Sequence, residues 1–288
     1  LLQNCVVTGQ ADRFQAGPSP IPPEWRDRID QARRGLIEMV AEGDEALLER
    51  YLNDGTLTDA ALLEGLRVGV QRGALVPVFG GSALRNVGVQ TLLQGLLQLM
   101  PSPAARAQIA PVQGVGLSEG EPPMTREPVA TAPLSGLVFK TIIDPFVGRL
   151  SYVRIYSGTL QADSNVYNAT RQVRERGGHV FSIFGKKYTA VSRAVAGDIV
   201  AIGKLKDSLT GDTLCDEHAP IRLPGIPLGR PVMSFAIEPK SKADIEKVSV
   251  GLHKLIEEDP SLEFVRHMET KEMVLSGMGQ LHIDVALE

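Results

Sequence analysis

Between residues 25 and 52 the apolar side chains Trp25, Ile29, Leu36, Ile37, Val40, Leu47 and Leu48 recur near helical spacing, with Asp and Glu on the remaining face and a break at Gly43. One long helix or two in sequence would satisfy this pattern. Thr58 and Asp59 supply an N-cap and a first-turn acid for a helix reaching Val70, and Gly73 follows where a C-terminal cap belongs. Residues 74–79 (ALVPVF) form a short apolar run suited to a buried strand, and residues 80–86 read as loop. Residues 88–100 then put Val89, Leu92, Leu93, Leu96, Leu97 and Met100 on one helical face, and Pro101 stops that helix. Helix, strand, loop, helix is the order of an α/β domain. One strand cannot make a sheet, so the rest of that domain is expected before Leu1.

Residues 102–130 carry repeated Pro, Ala and Gly with little periodicity and read as an interdomain linker. Beyond them the period shifts to two. Residues 131–224 hold short runs rich in Val, Ile, Thr, Tyr and Phe, such as 137–143 and 150–156, separated by Asp144-Pro145, Ser157-Gly158, Gly177-Gly178 and Ala196-Gly197-Asp198. This pattern predicts a small antiparallel β-barrel or sandwich. Residues 225–288 open with a strand at 232–237, pass through Pro239-Lys240-Ser241-Lys242, and continue as a helix with Ile245, Val248, Leu252, Leu255 and Ile256 on one side. A hairpin at 262–268 and 272–275 and a final helix after Gly277-Met278-Gly279 complete a βαββα order, the opening of a ferredoxin-like domain whose last strand is expected beyond Glu288. The fold class is therefore multi-domain α+β. Its expected parts are 1–101 (end of an α/β domain), 102–130 (linker), 131–224 (barrel) and 225–288 (truncated ferredoxin-like domain).

At 288 residues, 43% hydrophobic and 22% charged, the chain is long enough for several cores. A net charge of -4 argues against a surface coated with nucleic acid, but the charge is uneven: residues 131–224 hold 12 Lys and Arg against 8 Asp and Glu, and every other segment is acidic. Cys5 and Cys215 are too few for a disulfide framework or a multi-cysteine zinc site, which fits a reducing, cytoplasmic setting. No run approaches the roughly 18 apolar residues of a membrane span, and the start lacks the basic and apolar regions of a secretory signal. The absence of an initiator Met and a last helix that ends in mid-turn suggest a piece of a longer protein.

Catalytic constellations are scarce. There is no Gly-x-x-x-x-Gly-Lys-Ser/Thr loop, no Asp followed by Gly three residues later, and no Asn-Lys-x-Asp. His179, His218, His253, His267 and His282 are isolated from one another and from both cysteines, so no metal site is expected. Glu257-Glu258 at a helix end reads as a solvated face rather than an acid/base pair. One cluster stands out: Arg171, Arg174, Arg176, Lys186, Lys187 and Arg193 set six basic residues against the single acid Glu175 within 23 positions, beside Phe184 and Tyr188. On exposed loops of a small barrel this cluster can grip phosphates, or it can be a solubilising hairpin.

Val76-Pro77-Val78-Phe79-Gly80-Gly81-Ser82-Ala83, then Asn86-Val87-Gly88-Val89-Gln90 and Leu99-Met100-Pro101-Ser102-Pro103, resemble the last strand and helix of the GTPase domain of translation elongation factor G. Phe139-Lys140-Thr141, residues 144–150 (DPFVGRL), 154–160 (RIYSGTL), 196–202 (AGDIVAI), Leu205-Lys206-Asp207 and 210–214 (TGDTL) are similar to the second, β-barrel domain of that family. Glu238-Pro239-Lys240, 257–261 (EEDPS) and 276–282 (SGMGQLH) are similar to its third domain, with Gln280 where many members have Glu and Lys271 where many have Gly.

The resemblance implies a parent GTPase that uses GTP and Mg²⁺ and acts on the ribosome to move tRNA and mRNA. This chain would carry the relay domains without the phosphate and switch motifs, so by itself it is expected to bind no cofactor and hydrolyse no GTP. It further implies that Ser82 and Ala83 present backbone N–H groups to the guanine base, and that Gln280 or His282 faces the switch region or ribosomal RNA. Without the resemblance, residues 80–83 read only as a strand-to-helix turn with Ser82 as a local cap. Two other readings stay open: a ribosomal protection or release-type translational GTPase, and a non-enzymatic ribosome- or RNA-binding module. Oligomeric state is not legible.

Overall fold

The computed structural model describes residues 6–7, 18–19, 21–118, 120–144, 147–239, 241, 244–267, 269–270 and 272–287. Residues 1–5, Pro145, Phe146, Lys240, Lys242, Met268, Lys271 and Glu288, all used in reading the sequence, lie outside these. The chain forms two compact units, residues 1–109 and 110–288.

In the first unit a two-residue pair, β1 (Val6–Val7) and β2 (Pro18–Ser19), precedes a 3-10 turn at Pro23–Trp25 and the helices α1 (Arg26–Glu42), α2 (Glu45–Asp54), α3 (Asp59–Gln71), α4 (Val89–Leu99) and α5 (Pro103–Ile109). The break at Gly43 separates two helices because Asp44 starts the second: its carboxylate accepts from the N–H groups of Ala46 and Leu47, each at 3.1 Å. Thr58 caps α3 through Ala61 N–H at 3.3 Å. Ile37, Val40, Ala41, Leu62, Leu66 and Leu99 form the core, each large member contributing about 1.5–3 kcal/mol by leaving water.

The run at 74–79 corrects the sequence expectation. It is extended but pairs with no described strand, and Val76 and Val78 are 83% and 92% exposed. A ladder needs neighbours, and the described residues of this unit supply none. The apolar face of α4 is likewise only partly used: Leu99 is buried and Phe79 packs against Gly95, but Leu93 and Leu97 stand in solvent.

The second unit begins inside the segment expected as a linker. There β3 (Val112–Gly114) pairs antiparallel with β4 (Met124–Arg126), and Val112, Leu117 and Met124 pack against the buried Leu137, Ile221 and Leu223. Spaced apolar residues amid Pro and Gly were enough to seat this segment, which local periodicity does not register.

The strand-rich part comprises β5 (Ser135–Asp144), β6 (Gly148–Ser157), β7 (Thr159–Gln161), β8 (Asn165–Asn168), β9 (Val173–Arg176), β10 (Val180–Phe184), β11 (Lys187–Val191), β12 (Arg193–Val195), β13 (Ile199–Gly203) and β14 (Thr213–Cys215). All pairings are antiparallel, as expected, but the eight-stranded ladder runs β11-β10-β13-β6-β5-β14-β8-β9 and does not close on itself among the described residues. Strands β7 and β12 form a separate pair. The inward side chains of both halves still share one core, including Val138, Val153, Ile155, Val166, Val180 and Ile202, so the sheet curls around it. Gly177 N–H to Ser164 O (3.0 Å) and Gly178 N–H to Gly203 O (2.9 Å) link the β9–β10 connection to the curl through loops, in place of a further ladder.

The βαββα order holds: β15 (Met233–Ile237), α6 (Ile245–Glu258), β16 (Glu263–Arg266), β17 (Met273–Gly277) and α7 (Gln280–Leu287). The sheet order is β15-β17-β16, and Leu252, Leu262, Leu275 and Ile283 join helices to sheet.

Candidate nucleic-acid interface

The six basic residues of the sequence cluster do not act as one group. Arg171 lies in the β8–β9 turn, where its Nε donates to Asp212 Oδ2 at 2.7 Å, and Asp212 is 5% exposed. Arg174 on β9 donates from Nε to Glu217 Oε1 at 2.6 Å. These two charges are matched by carboxylates about forty residues away in sequence, which no local reading could pair. Arg176 closes β9, Lys186 lies in the β10–β11 turn, Lys187 opens β11 and Arg193 opens β12. All four are exposed and none has an ion-pair partner among the described residues. They are the unpaired cations of the sequence cluster.

Next to Arg176 in sequence lies a polar knot that composition does not show. Glu175, 6% exposed, accepts through Oε2 from the N–H groups of Lys206 (2.7 Å) and Asp207 (2.9 Å), and through Oε1 from the Ser208 hydroxyl. The lone acid of the basic cluster is thus the anchor of the 204–212 loop, because a buried carboxylate is tolerable only when its oxygens are bonded. Asn168 is fully satisfied: Oδ1 accepts from Thr170 N–H (3.1 Å) and Arg171 N–H (3.0 Å), while Nδ2 donates to Ser208 Oγ and Asp212 Oδ2, both at 3.0 Å. The only hint in sequence was the Thr210-Gly211-Asp212 turn.

The same loop reaches the βαββα part. Arg149 donates to the carbonyl oxygens of Lys206 (2.8 Å) and Ser208 (2.5 Å) and stands 3.8 Å from Glu257. Next to it, Glu258 at the end of α6 accepts from Ile143 N–H through Oε1 at 2.5 Å, and its carbonyl oxygen accepts from Lys140 Nζ at 3.0 Å. Glu257-Glu258, read as a solvated pair, is a clamp between α6 and strands β5 and β6.

Gln280 is exposed at the start of α7. His282, two residues on, is held on both ring nitrogens: Met278 N–H donates to Nδ1 at 3.2 Å, so the proton sits on Nε2 and points at Asp259 Oδ2, 3.0 Å away. Burial alone would raise the Asp259 pKa. The hydrogen bonds from the Ser261 hydroxyl and N–H, and then His282, outweigh it and hold the carboxyl below its ordinary value. His282 therefore works as a local staple, and Gln280 is the residue left facing outward.

In the first unit Ser82 and Val87 form a closed turn, Ser82 N–H donating to Val87 O at 2.9 Å and Ser82 Oγ accepting from Arg85 N–H at 3.3 Å. Ser82 is thus the local cap, and its amide is spent. Ala83 N–H has no partner among the described residues.

Residues 133–217 match the family model described as elongation factor G domain 2, and residues 228–288 match that of elongation factor G domain III. A crystal structure of a protein from Thermus thermophilus is similar over 94% of this chain at 32% identity with a TM-score of 0.75; the chain spans 38% of that protein's length. A curled antiparallel sheet clamped to a βαββα layer, matched in this order, defines a piece of a translation factor. The chain belongs to the elongation factor G-like family and carries its domains II and III.

Proposed function

We propose that the chain is the middle of an elongation factor G-like GTPase that works on the ribosome during translocation of tRNA and mRNA in the cytoplasm. Residues 1–101 would be the end of the GTPase domain, with the second domain at 131–224 and the third at 225–288. The observation that carries this reading is the clamp of Arg149, Lys140 and Ile143 on Glu257-Glu258, which joins the two matched domains beside the 204–212 loop.

The parent protein is proposed to use GTP and Mg²⁺. This chain's own residues supply the Ala83 amide toward the base and none of the phosphate-loop or switch patterns, so no step of hydrolysis is assigned to them. Its part is contact and relay: Arg176, Lys186, Lys187 and Arg193 meet ribosomal RNA, and the bonded loop carries the orientation of that surface to α6.

The test is competition on purified bacterial ribosomes. The chain is expected to displace full-length elongation factor G and to lower its ribosome-stimulated GTP turnover while showing no turnover itself. Binding of both proteins at once without interference would refute the reading.

A further inference from the structure

The β10–β11 hairpin has two unlike faces. Its register pairs Phe181 with Ala190 and Ile183 with Tyr188 on one, and Ser182 with Thr189 and Phe184 with Lys187 on the other. The first face is built into the sheet. Phe181 and Tyr188 meet edge-on at 6.2 Å, the Tyr188 hydroxyl lies 3.4 Å from that of Tyr152 on β6, and Tyr152 meets Phe139 edge-on at 6.2 Å. This row of rings anchors the hairpin and leaves nothing for a partner to complete.

The second face behaves differently. Strand β13 pairs with β10 only as far as Ser182, so the tip at 183–187 overhangs the sheet. Phe184 lies on the side that would be core if β13 continued, and instead it is 87% exposed, against 49% for Trp25 and 39% for Phe235. Gly185, at φ +59°, makes the turn tight and brings Lys186 and Lys187 directly after the ring. Both lysines are exposed and without a carboxylate partner among the described residues. A protein or lipid partner would be met by a contiguous apolar patch. Here one ring stands among cations and hydroxyls. That combination suits an unpaired nucleotide, whose base offers a face to stack on and whose phosphates offer charge.

We propose that residues 183–187 are a stacking finger: Phe184 lies against an unpaired RNA base, and Lys186 and Lys187 hold the flanking phosphates. The proposal rests on the ribosome reading above and names the contact through which it acts.

The experiment uses the whole chain with two probes, purified bacterial ribosomes and a short single-stranded oligoribonucleotide containing one 2-aminopurine. Phe184→Ala is expected to weaken ribosome binding by about five- to about a hundredfold, the range of lost base stacking, while Phe184→Trp retains it. The unaltered chain should quench 2-aminopurine and Phe184→Ala should not. The salt slope should be unchanged in Phe184→Ala and should fall by about 0.7 in Lys186→Ala, one phosphate on a single strand. Because Phe184 is solvent-exposed, its replacement is expected to leave the urea midpoint unchanged, which separates binding from folding. Ribosome binding equal to that of the unaltered chain in Phe184→Ala overturns the finger alone. Weakened binding without quenching by the unaltered chain also overturns it, since the ring then meets a ribosomal protein. No ribosome binding by the unaltered chain overturns the ribosome reading and the finger together.

Discussion

His282 donates from Nε2 to Asp259 Oδ2 at 3.0 Å, tying the first turn of α7 to the loop that follows α6. Since hydrogen bonds hold the Asp259 carboxyl below its ordinary value, the folded chain prefers the carboxylate. That contribution is complete above the ordinary carboxylate value of about 3.9 and is lost as pH falls through the depressed one. Asp259→Asn is therefore expected to flatten the acid limb of stability below about pH 4 while costing less at neutral pH than a core truncation. Urea unfolding of both proteins across acid pH checks this, and parallel acid limbs would contradict it.

Glu175 gives a larger effect. Removing its carboxylate orphans the buried N–H groups of Lys206 and Asp207, so Glu175→Ala is expected to cost about 2–4 kcal/mol. Glu175→Gln keeps an acceptor for both amides and should cost about 1 kcal/mol. Chemical denaturation monitored by circular dichroism measures the difference.

The clamp at Glu258 should be visible locally. Glu258→Ala frees Ile143 N–H, and amide exchange at 142–144 is expected to accelerate, at a cost of about 1–2 kcal/mol, while exchange in β13 is unchanged.

Tyr152 reports on the hairpin anchor. Burial first, and the Tyr188 hydroxyl second, push its pKa up to about 12. In an ultraviolet pH titration Tyr188→Phe should bring Tyr152 down while leaving it above the ordinary value of about 10.

Gly158 at φ +75° joins β6 to β7, and a Cβ there would lie 2.6 Å from Ala132 O and from Leu134 Cα. Gly158→Ala is expected to destabilise by more than about 2 kcal/mol, both through the left-handed backbone and through the clash. A thermal melt tests it.

What the sequence made legible was what local period encodes. Runs at 137–143 and 150–156 became β5 and β6, and the spacing of Ile245, Val248, Leu252 and Leu255 became α6. Residues 74–79 failed because a strand is defined by partners, and 110–130 because a few spaced apolar contacts seat a segment without any period. The site was legible as composition only. That Arg171 and Arg174 are answered by Asp212 and Glu217, and that Glu175 faces inward, depends on how β8, β9 and the 204–212 loop meet, which sequence spacing does not express.

If the unpaired cations of the basic cluster meet ribosomal RNA, as proposed, binding must depend on salt. The most direct test is co-sedimentation of the chain with purified bacterial ribosomes over a salt series. Arg176, Lys186, Lys187 and Arg193 together predict saturable binding that falls steeply between about 50 and about 200 mM salt, with a slope corresponding to about four single-strand phosphates at roughly 0.7 each. Binding that is flat across that range, or absent at low salt, would contradict the account.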